Sequence, residues 1–394
     1  MAFDLKRLDP KLPVEAMGVV GDDDLGRFLF GECDARGVNR TALRAAAGGA
    51  TMSERRGVLS AGTWCVDFNK SIARWPDEDT SNEVLAIDRQ NGGSGSNMAF
   101  DLKRLDPDFP VEALGLVGDD DLGRFLLDEC DVRGINRAAL RARPGGATMS
   151  VDAFNVEANG RRTHFFHQGV AAEMTPDDFD FSSTTAKILH LGLPGAHKAM
   201  DRPWRGEANG WVAVLRKARA HGLSANLELM TTRAERLAEL AGPCLPHLDC
   251  LIVNDYEVGA LAGRETRRAD GSTDPVAVGR AIGDVLALGS MRWAAAHFPE
   301  GAIVGARDGS RLALGSVALP ASAIAGANGA GDAFAAGMLY GLHEQWPIVE
   351  CLQLGHACAA ASMRVVSTTA GVGTVSECQA LAKQWGFRPL ALNT

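Results

Sequence analysis

From Val58 onward the chain alternates between short apolar runs and stretches whose apolar residues recur every three or four positions. The short runs read as strands and the periodic stretches as helices. Strands are predicted at Gly57–Gly62, Val84–Ile87, Val111–Val117, Ile188–Leu191, Leu223–Leu229, Cys250–Val253 and Trp293–His297. Helices are predicted at Met98–Leu105, Asp119–Arg133, Trp211–His221, Arg233–Ala241, Pro275–Leu288 and Val349–Val365. Such alternation defines an α/β fold. The unbroken run Cys250-Leu251-Ile252-Val253 suits a strand covered on both faces. One segment breaks the alternation: two runs within Val151–His167 flank Asn159-Gly160, a dipeptide that closes two-residue hairpins. A small second sheet beside the main one is expected.

The strongest local signal lies near the C-terminus. Gly326-Ala327-Asn328-Gly329-Ala330-Gly331-Asp332 precedes a helical pattern in which Phe334, Met338 and Leu342 recur every four residues. The glycines permit a tight corner, and the helix is predicted to begin near Ala330. Its first N–H groups have no partner within the helix and point into the corner, a geometry that suits a phosphate or another anion. Asp332 in the first turn reads either as a charge that favours helix starts or as a reactive carboxylate.

The beginning of the chain is a copy of its own interior. Residues 1–53 recur as 98–150, both copies carrying FDLKRLDP, VGDDDLGRFL and GGATMS, with scattered conservative differences such as Met17 against Leu114 and Val38 against Ile135. That divergence points to gene duplication. The first copy begins at Met1 with no preceding strand for its own strand to pair with, and Met52 stands just ahead of the Val58 strand. Residues 1–53 are therefore expected to be a non-catalytic fragment, and 54–394 the working domain.

Composition narrows the partners. The chain has 394 residues, 46% hydrophobic and 23% charged, with a net charge of −9. The balance argues against a nucleic-acid or anionic-membrane partner. No apolar run reaches the length of a membrane span, the first residues lack a signal-peptide core, and a cytoplasmic protein is expected. The eight cysteines include no C-x-x-C pair, which excludes the usual zinc and disulfide frames. His190, His297 and His356 sit among apolar residues and read as core histidines. No Walker-type phosphate loop and no serine, histidine and aspartate order stands out.

Two further groups carry candidate chemistry. Asn254-Asp255-Tyr256-Glu257 follows the Cys250 strand; open α/β sheets bind ligands beyond the C-terminal ends of their strands. Asn254 and Glu257 either meet phosphate oxygens or hydrated magnesium, or cap the next helix. Asn91-Gly92-Gly93-Ser94-Gly95-Ser96-Asn97 turns into a helix where the backbone can approach a hydroxylated ligand. Asp67, just beyond the first strand, can accept hydrogen bonds from sugar hydroxyls or serve the turn.

Asp67, GGSGSN at 92–97, NDYE at 254–257 and GANGAGDAFAAG at 326–337, in that order, resemble the ribokinase-like (PfkB-type) carbohydrate kinases. The resemblance covers about Arg55 to Gly386. It implies a doubly wound central sheet with a small β lid, here about 71–88 and 151–167. It implies transfer of the ATP γ-phosphate to a sugar hydroxyl, with Asp332 as base and Gly329, Ala330 and Gly331 as anion hole. Asp67, Gly92, Gly93 and Asn97 would bind the sugar. Asn254, Glu257, Gly301 and His356 would serve the nucleotide, with Glu257 holding Mg2+ indirectly. A homodimer through the lid is a further expectation. The chain departs from the family at Gly326-Ala327, where members carry Asp-Thr and build a monovalent-cation site, at His297-Phe298-Pro299-Glu300-Gly301, which keeps one glycine of the nucleotide turn, and at Ser94. A nucleoside kinase on the same scaffold, or an idle sugar- or nucleotide-binding homologue, are the alternatives.

Overall fold

Strand β3, Val58–Gly62, shows how the sheet is buried: Val58 packs into one hydrophobic cluster while Leu59 and Ala61 pack into a second on the opposite face. Strand β12, Cys250–Asn254, repeats the pattern, with Cys250 and Ile252 on one side and Leu251 and Val253 on the other. A sheet covered twice in this way sits in the middle of three layers.

The computed structural model describes residues 14–21, 32–46, 55–159 and 161–390, in two compact units, Met1–Arg55 and Arg56–Thr394. In the first unit β1, Glu15–Gly21, pairs in parallel with β2, Asn39–Ala46. The sequence reading left this first strand without a partner. Its partner was copied along with it: Glu15 faces Asn39 and Met17 faces Ala42, as Glu112 faces Asn136 and Leu114 faces Ala139 in the second unit.

The second unit is built on a nine-stranded sheet of order β15-β14-β13-β12-β11-β10-β3-β6-β7. The further strands are β6 (Val111–Gly118), β7 (Asn136–Arg143), β10 (Ile188–Gly192), β11 (Ser224–Leu227), β13 (Trp293–Phe298), β14 (Gly301–Ala306) and β15 (Arg311–Gly315). Pairing is parallel from β7 to β13 and antiparallel beyond. Helices α1 (Ser94–Leu105), α2 (Asp121–Val132), α7 (Ala330–His343), α8 (Ile348–Ser362) and α9 (Val375–Trp385) supply the cluster on one face. Helices α3 (Gly210–Ala220), α4 (Ala234–Ala241), α5 (Asp255–Ala262) and α6 (Pro275–Ala287) supply the other. Chain order reverses between β3 and β10, whose C-terminal residues Gly62 and Gly192 pair. This switch point is where open α/β sheets bind ligands.

A second sheet of order β5-β4-β8-β9 stands apart from the first. Its strands are β4 (Cys65–Ile72), β5 (Ala86–Gly92), β8 (Met149–Val156) and β9 (Arg162–His167). The expected lid is thus present but differently bounded. Residues 73–85 form the connection between two of its strands, and the second strand starts at Ala86. The β8–β9 loop is also longer than a two-residue turn, since Val156 N–H bonds to Arg161 and leaves four residues between them; Gly160 lies outside the described residues.

Sequence patterning missed β7. Only Leu140 of its eight residues is buried, so an edge strand rich in arginine carries little apolar signal. It also missed the hairpin of β14 and β15, and α5 and α9. Helix α1 begins at Ser94, a turn before the expected Met98, because Gly93 takes φ 85° and ends the strand there. All eight cysteines are free and buried. Among the described residues no helix is long and apolar enough to cross a membrane.

Candidate active site

Helix α7 starts at the switch point. Its N-cap is Gly329, with φ 72° and no side-chain cap, so the N–H groups of its first turn remain available to a ligand. A side chain at Gly329 would overlap the Thr368 carbonyl, 2.0 Å from an ideal Cβ. Helix α1 likewise starts on a glycine, Gly93, without a side-chain cap. Helix α5 differs: Asn254 Oδ1 accepts from Glu257 N–H at 2.8 Å, and Glu257 Oε2 accepts from Asn254 N–H at 3.1 Å. Asn254 and Glu257 thus do cap a helix, as one of the two readings of NDYE held.

Asp332 lies in the first turn of α7 and meets the sugar-side turn directly. Asn97 Nδ2 donates to Asp332 Oδ2 at 3.1 Å, and to the other side Asn97 Oδ1 accepts from Asn91 at 2.9 Å. Burial, then the charge and hydrogen bond of Glu228, push the Asp332 carboxyl well above the usual carboxylate range. Asp67 is not in a turn after the first strand; it is the third residue of lid strand β4, placed against Gly92 of β5, where any Cβ would meet its carboxylate. Burial raises Asp67 to about 7, with Asp332 adding to the effect and Cys65 and Arg162 opposing it. Glu257 is also raised to about 7, chiefly by burial, although Thr231 donates to it at 2.7 Å.

The structure therefore gathers Asp332, Asn97, Asp67, Gly92, Gly93 and Glu257 around one end of the sheet. It does not bring His356 or Gly301 into contact with them. His356 is a core residue whose Nε2 meets the Leu314 carbonyl at 3.1 Å and whose ring packs on Phe334. Gly301 opens β14 against the backbone of Leu314 and Gly315.

Three residues that sequence reasoning passed over, Glu228, Asp101 and Arg162, join the cluster, together with His190, which was read as a core histidine and is fully buried. Glu228, just after β11, hydrogen-bonds to Asp332, and its Oε2 lies 2.9 Å from His190 Nε2. His190 is held neutral by burial, at about 4, and contacts Asn226 at 3.0 Å. Asp101 on α1 is fully buried, and burial lifts its carboxyl well above the usual range. Arg162 of β9 donates to Asn328 in the glycine corner at 2.7 Å. Position after a strand flags Glu228 in principle, but Asn226-Leu227-Glu228 matches no motif.

Known proteins resemble this chain in sequence and in fold. The pfkB family carbohydrate kinase profile matches residues 57–374, and the chain belongs to that family. It is 26% identical over 304 residues to an ATP-dependent ribose-1-phosphate kinase of Halopiger xanaduensis, covering 77% of this chain and 90% of that one. It is 22% identical over 334 residues to a 5-dehydro-2-deoxygluconokinase of Geobacillus kaustophilus, covering 83% and 93%. Arabidopsis thaliana ribokinase, solved with ribose and ATP, superposes with a TM-score of 0.67 at 18% identity over 84% of this chain and 99% of its own. The fold is ribokinase-like, and the protein is a carbohydrate kinase.

Proposed function

We propose that the enzyme transfers the γ-phosphoryl group of ATP to a hydroxyl of a sugar or sugar-like acceptor in the cytoplasm. The observation that carries this reading is the contact between Asn97 and Asp332, which joins the acceptor side to the uncapped start of α7. The acceptor lies between Asp67 on the lid, the Gly92-Gly93-Asn97 turn and Asp332. Asp332 takes the hydroxyl proton, the oxygen bonds to the γ-phosphorus, and the bond to the bridging oxygen of ADP breaks. N–H groups at Gly329, Ala330 and Gly331 hold the charge on the phosphoryl oxygens, the main source of rate in this chemistry. Asn254 and Glu257 serve the nucleotide side.

Mg2+ fits this donor set only through water. Both oxygens of Glu257 already accept hydrogen bonds, from Thr231 and from Asn254 N–H. The metal would offset phosphate charge beside Glu257 and Glu228, two carboxyls that burial raises to about 7. The chain carries Gly326-Ala327 where members of the family carry Asp-Thr, so activation by a monovalent cation is not part of the proposal.

The relatives narrow the acceptor. One is named for ribose 1-phosphate and the other for 5-dehydro-2-deoxygluconate, both acidic sugars. An ADP-release screen over pentoses, hexoses, sugar acids, sugar phosphates and nucleosides tests the function. Turnover of sugars supports it, preference for nucleosides replaces it with a nucleoside kinase, and tight sugar binding without ADP identifies an idle homologue.

The outer lid surface completes the proposal. Trp75 and Phe165 are exposed by 47% and 54%, and Trp75 stacks on Phe165 at 6.2 Å. A second copy of the chain is the occupant proposed for this apolar face.

A further inference from the structure

Arg162 is the one residue of β9 drawn in from solvent; the other five positions of the strand are exposed. Its fork is held open by two neutral amides. Nε donates to Asn155 Oδ1 on the neighbouring lid strand, and Nη1 donates to Asn328 Oδ1 in the glycine corner, each at 2.7 Å. Among the described residues no carboxylate comes within ion-pairing distance of it. The nearest influence is the charge of Asp67 acting through space. The other lid cation differs: Lys70 is paired with Asp152 at 2.7 Å.

A guanidinium moved out of water without a counter-ion is unfavourable unless a ligand completes it. Its planar fork matches a carboxylate or phosphate better than any neutral group. The surroundings sharpen the point. Asp67 on β4, Asp101 on α1, Glu228 after β11, Glu257 on α5 and Asp332 on α7 form one electrostatically coupled acidic group. Whatever negative charge this group carries disfavours an acidic acceptor beside it. Arg162 adds a cation on the lid side, facing Asp67.

We infer that Arg162 binds an acidic substituent of the acceptor, so that the preferred substrate is a sugar acid or sugar phosphate rather than a neutral sugar. This rests on the kinase reading above and names the substrate class of the same site. Asn155 and Asn328 act as positioning residues that aim the fork. Because Asn328 belongs to the corner that receives the phosphoryl group, the competing role for Arg162 is the ATP γ-phosphate.

Paired acceptors separate the two: ribose with ribose 1-phosphate, and glucose with gluconate. ADP release is followed for wild type, Arg162→Met and Arg162→Lys. The wild type is expected to favour the acidic member of a pair. In Arg162→Met the ratio of kcat/KM for acidic over neutral acceptor should fall about 10- to 100-fold, the range of a hydrogen-bonded charge. Arg162→Lys should recover part of it, since charge returns without the fork. A wild type that prefers the neutral members overturns the inference and leaves the kinase reading intact. So does an equal loss on both members with a raised KM for ATP, which assigns Arg162 to the γ-phosphate. If no acceptor yields ADP, the kinase reading fails on its own, and calorimetry decides the inference. Binding of gluconate or ribose 1-phosphate by wild type, weakened in Arg162→Met, upholds it; absence of binding overturns it.

Discussion

Glu228 and Asp332 meet carboxyl to carboxyl, joined by a hydrogen bond between the end of β11 and the start of α7. Two buried acids in contact cannot both ionise easily and hold a proton between them. Burial lifts Glu228 to about 7, and burial together with Glu228 lifts Asp332 well above its ordinary value. A base must be deprotonated to act, so kcat/KM should fall on an acidic limb that lies well above the ordinary carboxylate range. In Glu228→Gln the neighbouring charge is gone and an amide can donate to Asp332. The acidic limb should then move to lower pH by about one unit or more. A pH profile of ADP release checks this; an unmoved limb would show that Glu228 does not tune the base.

Asp332→Asn should lower kcat by about 10²- to 10⁴-fold, the usual worth of a general base, while acceptor binding in calorimetry stays within a few-fold. The same change should raise the melting temperature of the ligand-free protein at pH 8. The sign follows from linkage. The folded carboxyl titrates above the unfolded one, so the folded state holds the proton while the unfolded state loses it, and stability declines as pH rises through that interval. Asparagine has no such proton, so its advantage is largest at pH 8 and narrows at pH 5. A variant that keeps kcat within tenfold of wild type would sink the assignment of Asp332.

Much of this site was legible in the chain because its parts are local. The glycine corner, the start of α7 and Asp332 lie within a few consecutive residues, and the turn at Gly93 announces α1 in the same way. Glu228 and Arg162 were not legible, since their partners Asp332 and Asn328 lie more than a hundred positions away and only the fold joins them. In the fold, apolar strands such as β12 stand out because both faces are buried. Edge strand β7, with its arginines in solvent, does not. The lid boundary slipped because β5 is exposed over its first four residues, so apolar Val84 and Leu85, outside the strand, drew the reading too early.

The apolar lid surface makes a prediction about assembly. Trp75 stacks on Phe165 and meets Phe154 edge-on at 6.1 Å, leaving a ring cluster that is half in water. Trp75→Ser with Phe165→Ser should weaken self-association by about 100-fold or more, as removal of aromatic anchors does. Sedimentation velocity on wild type and variant measures it. A wild type that is monomeric at micromolar concentration would rule out the lid dimer.

The duplicated start of the chain makes the last prediction. Every proposed site residue, from Asp67 onward, lies within the unit Arg56–Thr394, which already contains its own pair β6 and β7. The pair β1 and β2 satisfies its own ladder with the same register, so it does not need a strand from the kinase unit. A chain beginning at Met52 should therefore fold and keep kcat/KM within about two-fold, as expected for a domain with its own core. The competing outcome is physical as well: the two copies carry the same strand register, so residues 1–53 could take the place of 98–150 during folding. In that case the shortened chain would refold faster and to higher yield than the full one, with the same final activity. ADP release and refolding yield of both chains read the two effects separately, and a shortened chain that folds but has lost activity would show that residues 1–53 serve the site.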